Sequence, residues 1–543
     1  MVLVDTKSRV VIDGYDLGAE TGRLRFDDVV VGDMRLNRGS ARVDVTSTMN
    51  SARLEQARNA HDQSIFPTTV SPESPVLELG YPQCGPFVRC EAGVYFDAYL
   101  GVAQKLLDEH HPAFQKMLQV LAQNQLFLRR EINTDDYLSS RPGVEGLRTP
   151  QDLASLLDAE AARAFPRKSP FKCFLSNSGS EATEAAIKLA QRVKHGRLLE
   201  RYGSQVEAEL MRQLGIPVVE FFRRKEGTIL YDDYPMFVLA CENAFHGRTL
   251  GALQTTFSKS VHKMGVSTPR WHRHIPFNGQ PEDLARLIDD RPLPRILEAD
   301  GGICEVIASG RIPRDLAALF LVEPFQGEGG YRLADAAWLK SLRRTCDQFE
   351  ILLLADEIQS FGRTGTTFLM EQMGVEPDIV TLAKACVVGI TLARAELTRY
   401  LPHGWHANTW GGGKIFDNFF ACTTIDTFLN YRDPVFEGRG YRDNVRIKGE
   451  YLRSHFAWLR DRHSDVFVDF SGLGCMFGIT VRRREEIIET SWRRGLKLLP
   501  CGQKGEESRI RLLFLADVLT REIDEFARVF DQVLAEVESA PPR

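Results

Sequence analysis

The stretch Ile351-Leu-Leu-Leu-Ala-Asp-Glu-Ile-Gln359 closes an apolar run on a carboxylate, and Ile379-Val-Thr-Leu-Ala-Lys384 closes the next one on an amine. Each run is short, continuous and hydrophobic, the pattern of a strand buried on both faces of a parallel sheet. Each therefore delivers its last polar residue to the C-terminal edge of that sheet, where open α/β folds gather their ligands. An ionised Asp356 is costly there unless it meets a cation, and a protonated pyridine nitrogen would supply one. Lys384, set among apolar neighbours, can lose its proton and attack an aldehyde, which makes it a candidate Schiff-base residue. Taken alone, the pair is equally compatible with an aspartate capping the following helix and a solvated loop lysine.

Further upstream, Phe174-Leu-Ser-Asn-Ser178-Gly179-Ser180-Glu-Ala runs from a strand into a helix whose apolar residues at 182, 185, 186, 189, 190 and 193 share one face. Ser178, Gly179 and Ser180 then stand at the helix N-terminus, where free N–H groups and the positive end of the dipole suit a phosphate. Simple helix capping by either serine is the plainer alternative. A phosphate seat, a ring-facing carboxylate and an aldehyde-seeking amine are together what pyridoxal 5'-phosphate requires.

Six segments, in order, carry a family resemblance: SNSGSEATEAAIKLA (176 to 190), AFHGRTLGALQTT (244 to 256), LVEPFQGEGG (321 to 330), LLADEIQSFGRTG (353 to 365), PDIVTLAK (377 to 384) and NTWGG (408 to 412). Over roughly residues 80 to 535 the chain resembles a fold-type I, class III pyridoxal-phosphate-dependent aminotransferase. HGRTLGALQTTFSKSVHK is similar to 4-aminobutyrate aminotransferases, whereas NTWGG and GLKLLP…RIRLLF are closer to L-lysine 6-aminotransferases. The resemblance implies an α/β large domain with a mostly parallel seven-stranded sheet between helices, plus a smaller α+β domain. It also implies an ω-aminotransferase passing a terminal amino group to 2-oxoglutarate by a ping-pong route.

Carried over residue by residue, the resemblance assigns Asp356 to the pyridine nitrogen, Gln359 to the ring hydroxyl, and Phe245, before His246-Gly247, to stacking on the ring. His246 falls among the cofactor-binding residues. Ser178, Gly179 and Ser180 would hold the phosphate, and Thr409 would reach it from a neighbouring subunit, so a homodimer is expected. Lys384 would serve first as the Schiff-base residue and then as the base that moves the substrate proton. The substrate residues would be Arg248, Glu328 and Arg511. A donor with a terminal amine brings no carboxylate beside the reacting carbon, but 2-oxoglutarate does. An arginine neutralised by a glutamate in one half-reaction and released in the other meets both demands, and Glu328 and Arg511 occupy those positions. Each of these charges taken singly reads equally as a surface ion pair.

The chain departs from the family pattern in three places. ACVVGITLARAEL follows Lys384 in place of a glycine-rich, proline-containing stretch. Arg511 is followed by Leu-Leu-Phe-Leu, and Arg509 lies two residues earlier on the same strand face, so either arginine could enter the pocket. Residues 199 to 235 are an added charged segment that could be a lid, a dimer contact or decoration. Rival readings keep the fold and cofactor but end in a racemase, aminomutase or decarboxylase, or abandon the cofactor for a structural or regulatory role.

At 543 residues the chain exceeds a single core, so more than one domain is expected. The organisation expected is an N-terminal extension (1 to 75), the first part of the small domain (76 to 147), the cofactor-binding large domain (148 to 427) and a C-terminal small domain (428 to 543). Thr149-Pro150 opens a helix with cap and proline in the favoured places. Strands are expected at 172 to 175, 236 to 241, 318 to 322, 351 to 355 and 379 to 383, and helices at 444 to 461 and 520 to 537. A net charge of -5 leaves no basic footprint for nucleic acid. The absence of a long apolar run or secretion signal leads to the expectation of a cytoplasmic protein without membrane contact. Ten scattered cysteines without a C-x-x-C pair suggest neither a metal site nor a disulfide framework, and FGRTG at 361 to 365 lacks a cysteine for an iron–sulfur cluster. Gly411-Gly-Gly-Lys414 lacks the Ser or Thr of a nucleotide loop, and Gly472-Leu-Gly474 reads as a tight turn rather than a dinucleotide motif.

Overall fold

The computed structural model describes residues 11–13, 15–17, 20, 29–31, 34–45, 83–90, 93–126, 148–166, 170–406, 414–502 and 508–541. At its centre is a seven-stranded sheet in the order His272–Ile275, Phe237–Cys241, Ala317–Val322, Leu352–Asp356, Ile379–Leu382, Gly389–Arg394, Phe171–Ser176. The first five strands are mutually parallel, and Gly389–Arg394 runs antiparallel to both of its neighbours. Leu352–Asp356 is buried throughout because both faces of the sheet are covered, which is why its sequence is unbroken hydrophobe until the carboxylate. Asp356 pairs with Thr381, so Lys384, three residues further on, emerges at the same sheet edge.

Five of the seven strands coincide with the apolar runs read from the sequence. The two others, His272–Ile275 and Gly389–Arg394, have local causes for escaping notice. His-Arg-His-Ile is a polar edge strand that buries little. Gly389–Arg394 occupies the stretch after Lys384 that departs from the family pattern; the chain reverses within a few residues, through a short turn at Lys384–Cys386. Lys384 and Val387 both take left-handed φ angles, 46° and 64°. A β-branched residue there stores strain of about 1–3 kcal/mol, which the surrounding packing must offset.

Thr149 caps the helix Pro150–Ala164 through a full capping box with Asp152. The helix starting at Gly179 continues to Leu214, with a break in helical geometry at Gly203, so the first part of the 199 to 235 segment extends that helix. The remainder forms the short helix Glu220–Glu226 and a bridge between Val218 and Tyr231.

A second unit is assembled from both ends of the chain. Gln83–Cys84, Phe87–Cys90 and Gly93–Asp97 form a sheet that Leu496–Lys497 and Asp44–Val45 join. Phe467–Leu473, Met476–Val481, Ser508–Leu513 and Leu499–Cys501 form another, flanked by the helices Tyr441–Arg462, Arg484–Arg493 and Thr520–Ser539. Gly474 sits in the hairpin between the first two of these strands with φ +58°, the tight turn that the glycines indicated.

The segment read as an N-terminal extension is packed into this unit at residues 34–45. Arg38, 3% exposed, pairs with Asp108, Asp517 and Glu522 at 3.0, 2.8 and 2.8 Å. Gly85 makes room for it, since a Cβ there would lie 2.5 Å from Arg38 Nε. Glu20 and Lys448 form a second buried pair across the same junction. Among the described residues, no helix is long and apolar enough to cross a membrane, and no cluster of metal-ligating side chains occurs.

Candidate active site

Lys384 follows the strand Ile379–Leu382 and is held in its strained turn with the side chain half-buried. Burial, then the nearby Arg511 guanidinium, pushes its ammonium down to about 8, with Glu328 and Asp356 only partly opposing. Among the described residues its amine makes no hydrogen bond or ion pair. Asp356 is 5% exposed at the end of its strand. Its Oδ1 accepts from the Ile358 N–H at 3.2 Å and its Oδ2 lies 2.7 Å from His246 Nδ1. Among the described residues, His246 Nε2 is buried without a partner. Nδ1 must then be the protonated nitrogen, because a proton on Nε2 would be left unpaired in the interior. His246 thus enters the site through Asp356.

The helix Gly179–Leu214 points its N-terminus at the same sheet edge. Ser178 caps it, accepting from the Glu181 N–H at 3.3 Å. A Cβ on Gly179 would meet Ile358 Cδ1 at 2.8 Å and Ala383 Cβ at 3.3 Å, so the turn lies directly over the Asp356 and Lys384 loops. Ser180 Oγ accepts from the Arg248 N–H at 3.1 Å, and Gly247, at φ +139°, leaves no room for a side chain against it. The loop that carries Phe245 is fixed from behind by Glu323, whose Oε2 accepts from the Phe245 N–H at 3.3 Å. Oε1 of the same carboxyl accepts from the Gly327 N–H at 3.1 Å. Burial, next to the Asp356 charge, pushes Glu323 well above the usual carboxylate range. Gln359 lies against Gly327, where a Cβ would come within 2.1 Å of its amide nitrogen, and Tyr331 Oη donates to its Oε1 at 3.4 Å.

Glu328 and Arg511 form an ion pair at 2.8 Å, both largely buried. The second oxygen of Glu328 pairs with Lys259 at 3.0 Å. Burial opposes ionisation, but Arg511 and Lys259 outweigh it and hold the Glu328 carboxyl at about 2. Arg509 is committed elsewhere, donating to Ser471 Oγ at 2.6 Å and to the Gly478 carbonyl at 2.9 Å. Of the two arginines, Arg511 is therefore the one that faces Glu328 and Lys384. Arg248 is exposed at the mouth, over the Phe245 ring at 5.8 Å and 3.1 Å from His262 Nε2.

All the site residues expected from sequence converge here except Thr409, which lies outside the described residues together with NTWGG and the Gly411–Gly413 run. Three contributors were missed. Glu323 follows the strand Ala317–Val322, so the rule that singles out Asp356 at the end of its strand applies equally to it. Arg363, fully buried, donates to the Gln359, Ala103 and Lys105 carbonyls and fastens the Gln359 loop to the second unit. Its place between Gly362 and Gly365, both at positive φ, was the available signal. Lys259 carries no local signal, because only the fold brings it to Glu328.

Comparison with known proteins agrees with this geometry. The class-III aminotransferase family matches residues 91–534. An acetylornithine aminotransferase of Synechocystis is 30% identical over 61% of this chain and 66% of its own. The 4-aminobutyrate aminotransferase GabT of Escherichia coli is 28% identical over 70% of this chain and 79% of its own. In fold, a lysine aminotransferase from Mycobacterium tuberculosis superposes with a TM-score of 0.65 at 22% identity, covering 89% of this chain and 99% of its own. A lysine and a carboxylate at adjacent strand ends beneath a glycine-bearing helix N-terminus, within a match that spans most of the sequence, make this chain a member of the class-III aminotransferases, enzymes that depend on pyridoxal 5'-phosphate.

Proposed function

We propose that the protein is an ω-aminotransferase that moves the terminal amino group of a lysine- or 4-aminobutyrate-like donor to 2-oxoglutarate in two alternating half-reactions. The ion pair between Glu328 and Arg511 beside Lys384 carries this reading. A guanidinium left open at that place would favour only substrates with a carboxylate on the reacting carbon. Neutralised, it leaves room for the plain methylene next to a terminal amine. Relatives named for acetylornithine and 4-aminobutyrate support the same donor class.

The residues present fit the cofactor. Asp356 is a buried carboxylate braced by His246, Gly179 is a cradle that a Cβ would fill, and the Lys384 amine is unpaired among the described residues. When bound, pyridoxal phosphate supplies a ring that withdraws electrons from the substrate carbon. Asp356 would hold a positive charge on the ring nitrogen, Gln359 would hydrogen-bond the ring hydroxyl, and Phe245 would cover the ring. Ser178, Gly179 and Ser180 would hold the phosphate at the helix N-terminus. By the family resemblance a second subunit would contribute Thr409, so a homodimer is the working form this reading expects. Lys384, neutral above about pH 8, would anchor the cofactor and then take the proton from the substrate carbon that bears the amine. Arg248 meets the carboxylate at the far end of the donor, and Arg511, once Glu328 withdraws, binds the carboxylate of the oxo acid.

The test is glutamate release from 2-oxoglutarate with lysine, ornithine, N-acetylornithine, 2,4-diaminobutyrate, 4-aminobutyrate or β-alanine. At least one terminal-amine donor is expected to yield glutamate together with the matching aldehyde. Glutamate formed only from donors that react at the carbon beside a carboxylate would overturn the reading. So would racemised, rearranged or decarboxylated donor without glutamate.

A further inference from the structure

We propose that Lys259 is a positioning residue that keeps hold of Glu328 while Arg511 binds the oxo acid, so that the exchange breaks only one of two ion pairs. The inference rests on the reading of Glu328 and Arg511 given above. The two oxygens of Glu328 are divided between two cations, Oε1 to Arg511 at 2.8 Å and Oε2 to Lys259 at 3.0 Å. The cations differ in setting: the Arg511 side chain is 5% exposed and deep in the site, and that of Lys259 is 44% exposed at its rim. When an incoming carboxylate takes Arg511, Glu328 at 14% exposure would be left as a largely buried anion with no cation. Lys259 removes that penalty, because the carboxylate can pivot towards the rim without losing its remaining partner. An ammonium on a long flexible stem suits this task better than a planar fork, since it accepts the anion from many directions. The same contact means that Lys259 acts on substrate choice through Glu328, with its charge already engaged before substrate arrives.

The experiment uses the holoenzyme and the variants Lys259→Gln, Lys259→Arg, Glu328→Gln and the Gln/Gln double variant. The two half-reactions are followed separately, and the binding of glutarate, a dicarboxylate that cannot react, is measured by calorimetry. Lys259→Gln is expected to lower kcat/KM for the oxo-acid half-reaction and the affinity for glutarate by about fivefold, the scale of one partly exposed ion pair, with the donor half-reaction within about twofold. Lys259→Arg is expected to restore most of the loss, and Lys259→Gln to add nothing in the Glu328→Gln background. The proposal is overturned if Lys259→Gln depresses the donor half-reaction as much as the other, or if its effect persists undiminished without Glu328. Equal losses in both half-reactions for Glu328→Gln would instead sink the underlying reading. A one-sided Glu328→Gln with a silent Lys259→Gln would remove the role of Lys259 alone.

Discussion

Replacing His246 by Phe keeps a ring of similar size and removes the donor that faces Asp356. The side chains are 0% and 4% exposed and the nitrogen–oxygen distance is 2.7 Å, so water cannot take over the lost contact without repacking. A hydrogen bond from an imidazole N–H to a buried carboxylate contributes about 1.5–3 kcal/mol, and here it orients the Asp356 carboxylate. The expected consequence is a pyridoxal-phosphate dissociation constant raised about 10- to 100-fold, with little change in the folding of the cofactor-free protein. His246→Asn, whose amide can still donate, should recover part of that loss. Titration of the apoenzyme with cofactor, followed by the absorbance of the bound form, measures the constant directly. Thermal unfolding of the apoenzyme serves as the control. An affinity within threefold of the parent for His246→Phe would show that the contact with Asp356 does not support cofactor binding, as would a loss fully explained by unfolding.

Other outcomes follow from the same structure. Arg38→Met leaves Asp108, Asp517 and Glu522 buried together without their cation and should cost about 3–5 kcal/mol, read from the urea midpoint at unchanged slope. Gly389→Ala would place a Cβ 2.1 Å from the Ser178 carbonyl and should weaken cofactor binding while destabilising the fold by about 1–3 kcal/mol, seen in paired titration and unfolding experiments. Because burial pushes Lys384 down to about 8, its nucleophilic neutral form prevails above that pH. The rate of cofactor capture by the apoenzyme should therefore rise with a midpoint near 8 and level off, instead of climbing towards the ordinary lysine value. The folded apoenzyme also binds this proton less tightly than the unfolded chain, so its stability should increase with pH from about 8 to the ordinary lysine range.

The strands that present Asp356 and Lys384 were legible because each is buried on both faces, which writes an unbroken hydrophobic run that stops at the functional residue. Ser178 to Ser180 were legible because a strand-to-helix junction carries small residues and a clear helical face behind it. What could not be read locally depends on contacts between distant parts of the chain. His272–Ile275 looks polar since it is an edge strand, and Gly389–Arg394 owes its direction to a reversal at two non-glycine residues with positive φ. His246, by position alone, is one residue after an expected stacking ring; only the fold brings it within 2.7 Å of Asp356 Oδ2. The choice between Arg509 and Arg511 was open in sequence because both lie on one strand face. The Ser471 hydroxyl and the Gly478 carbonyl, both from the neighbouring hairpin, decide it by engaging Arg509. Arg38 shows the same limit, since its three partners lie 70 residues or more away in the chain.

In the proposed function Lys384 is the amine that takes the cofactor aldehyde, with Asp356 facing the ring. Borohydride reduction of the purified holoenzyme, followed by digestion and mass mapping, tests it most directly. A pyridoxyl group is expected on the peptide containing Lys384, and its loss, with the yellow colour, in Lys384→Ala. A pyridoxyl group on another lysine, or no stable adduct in a protein saturated with cofactor, would contradict it.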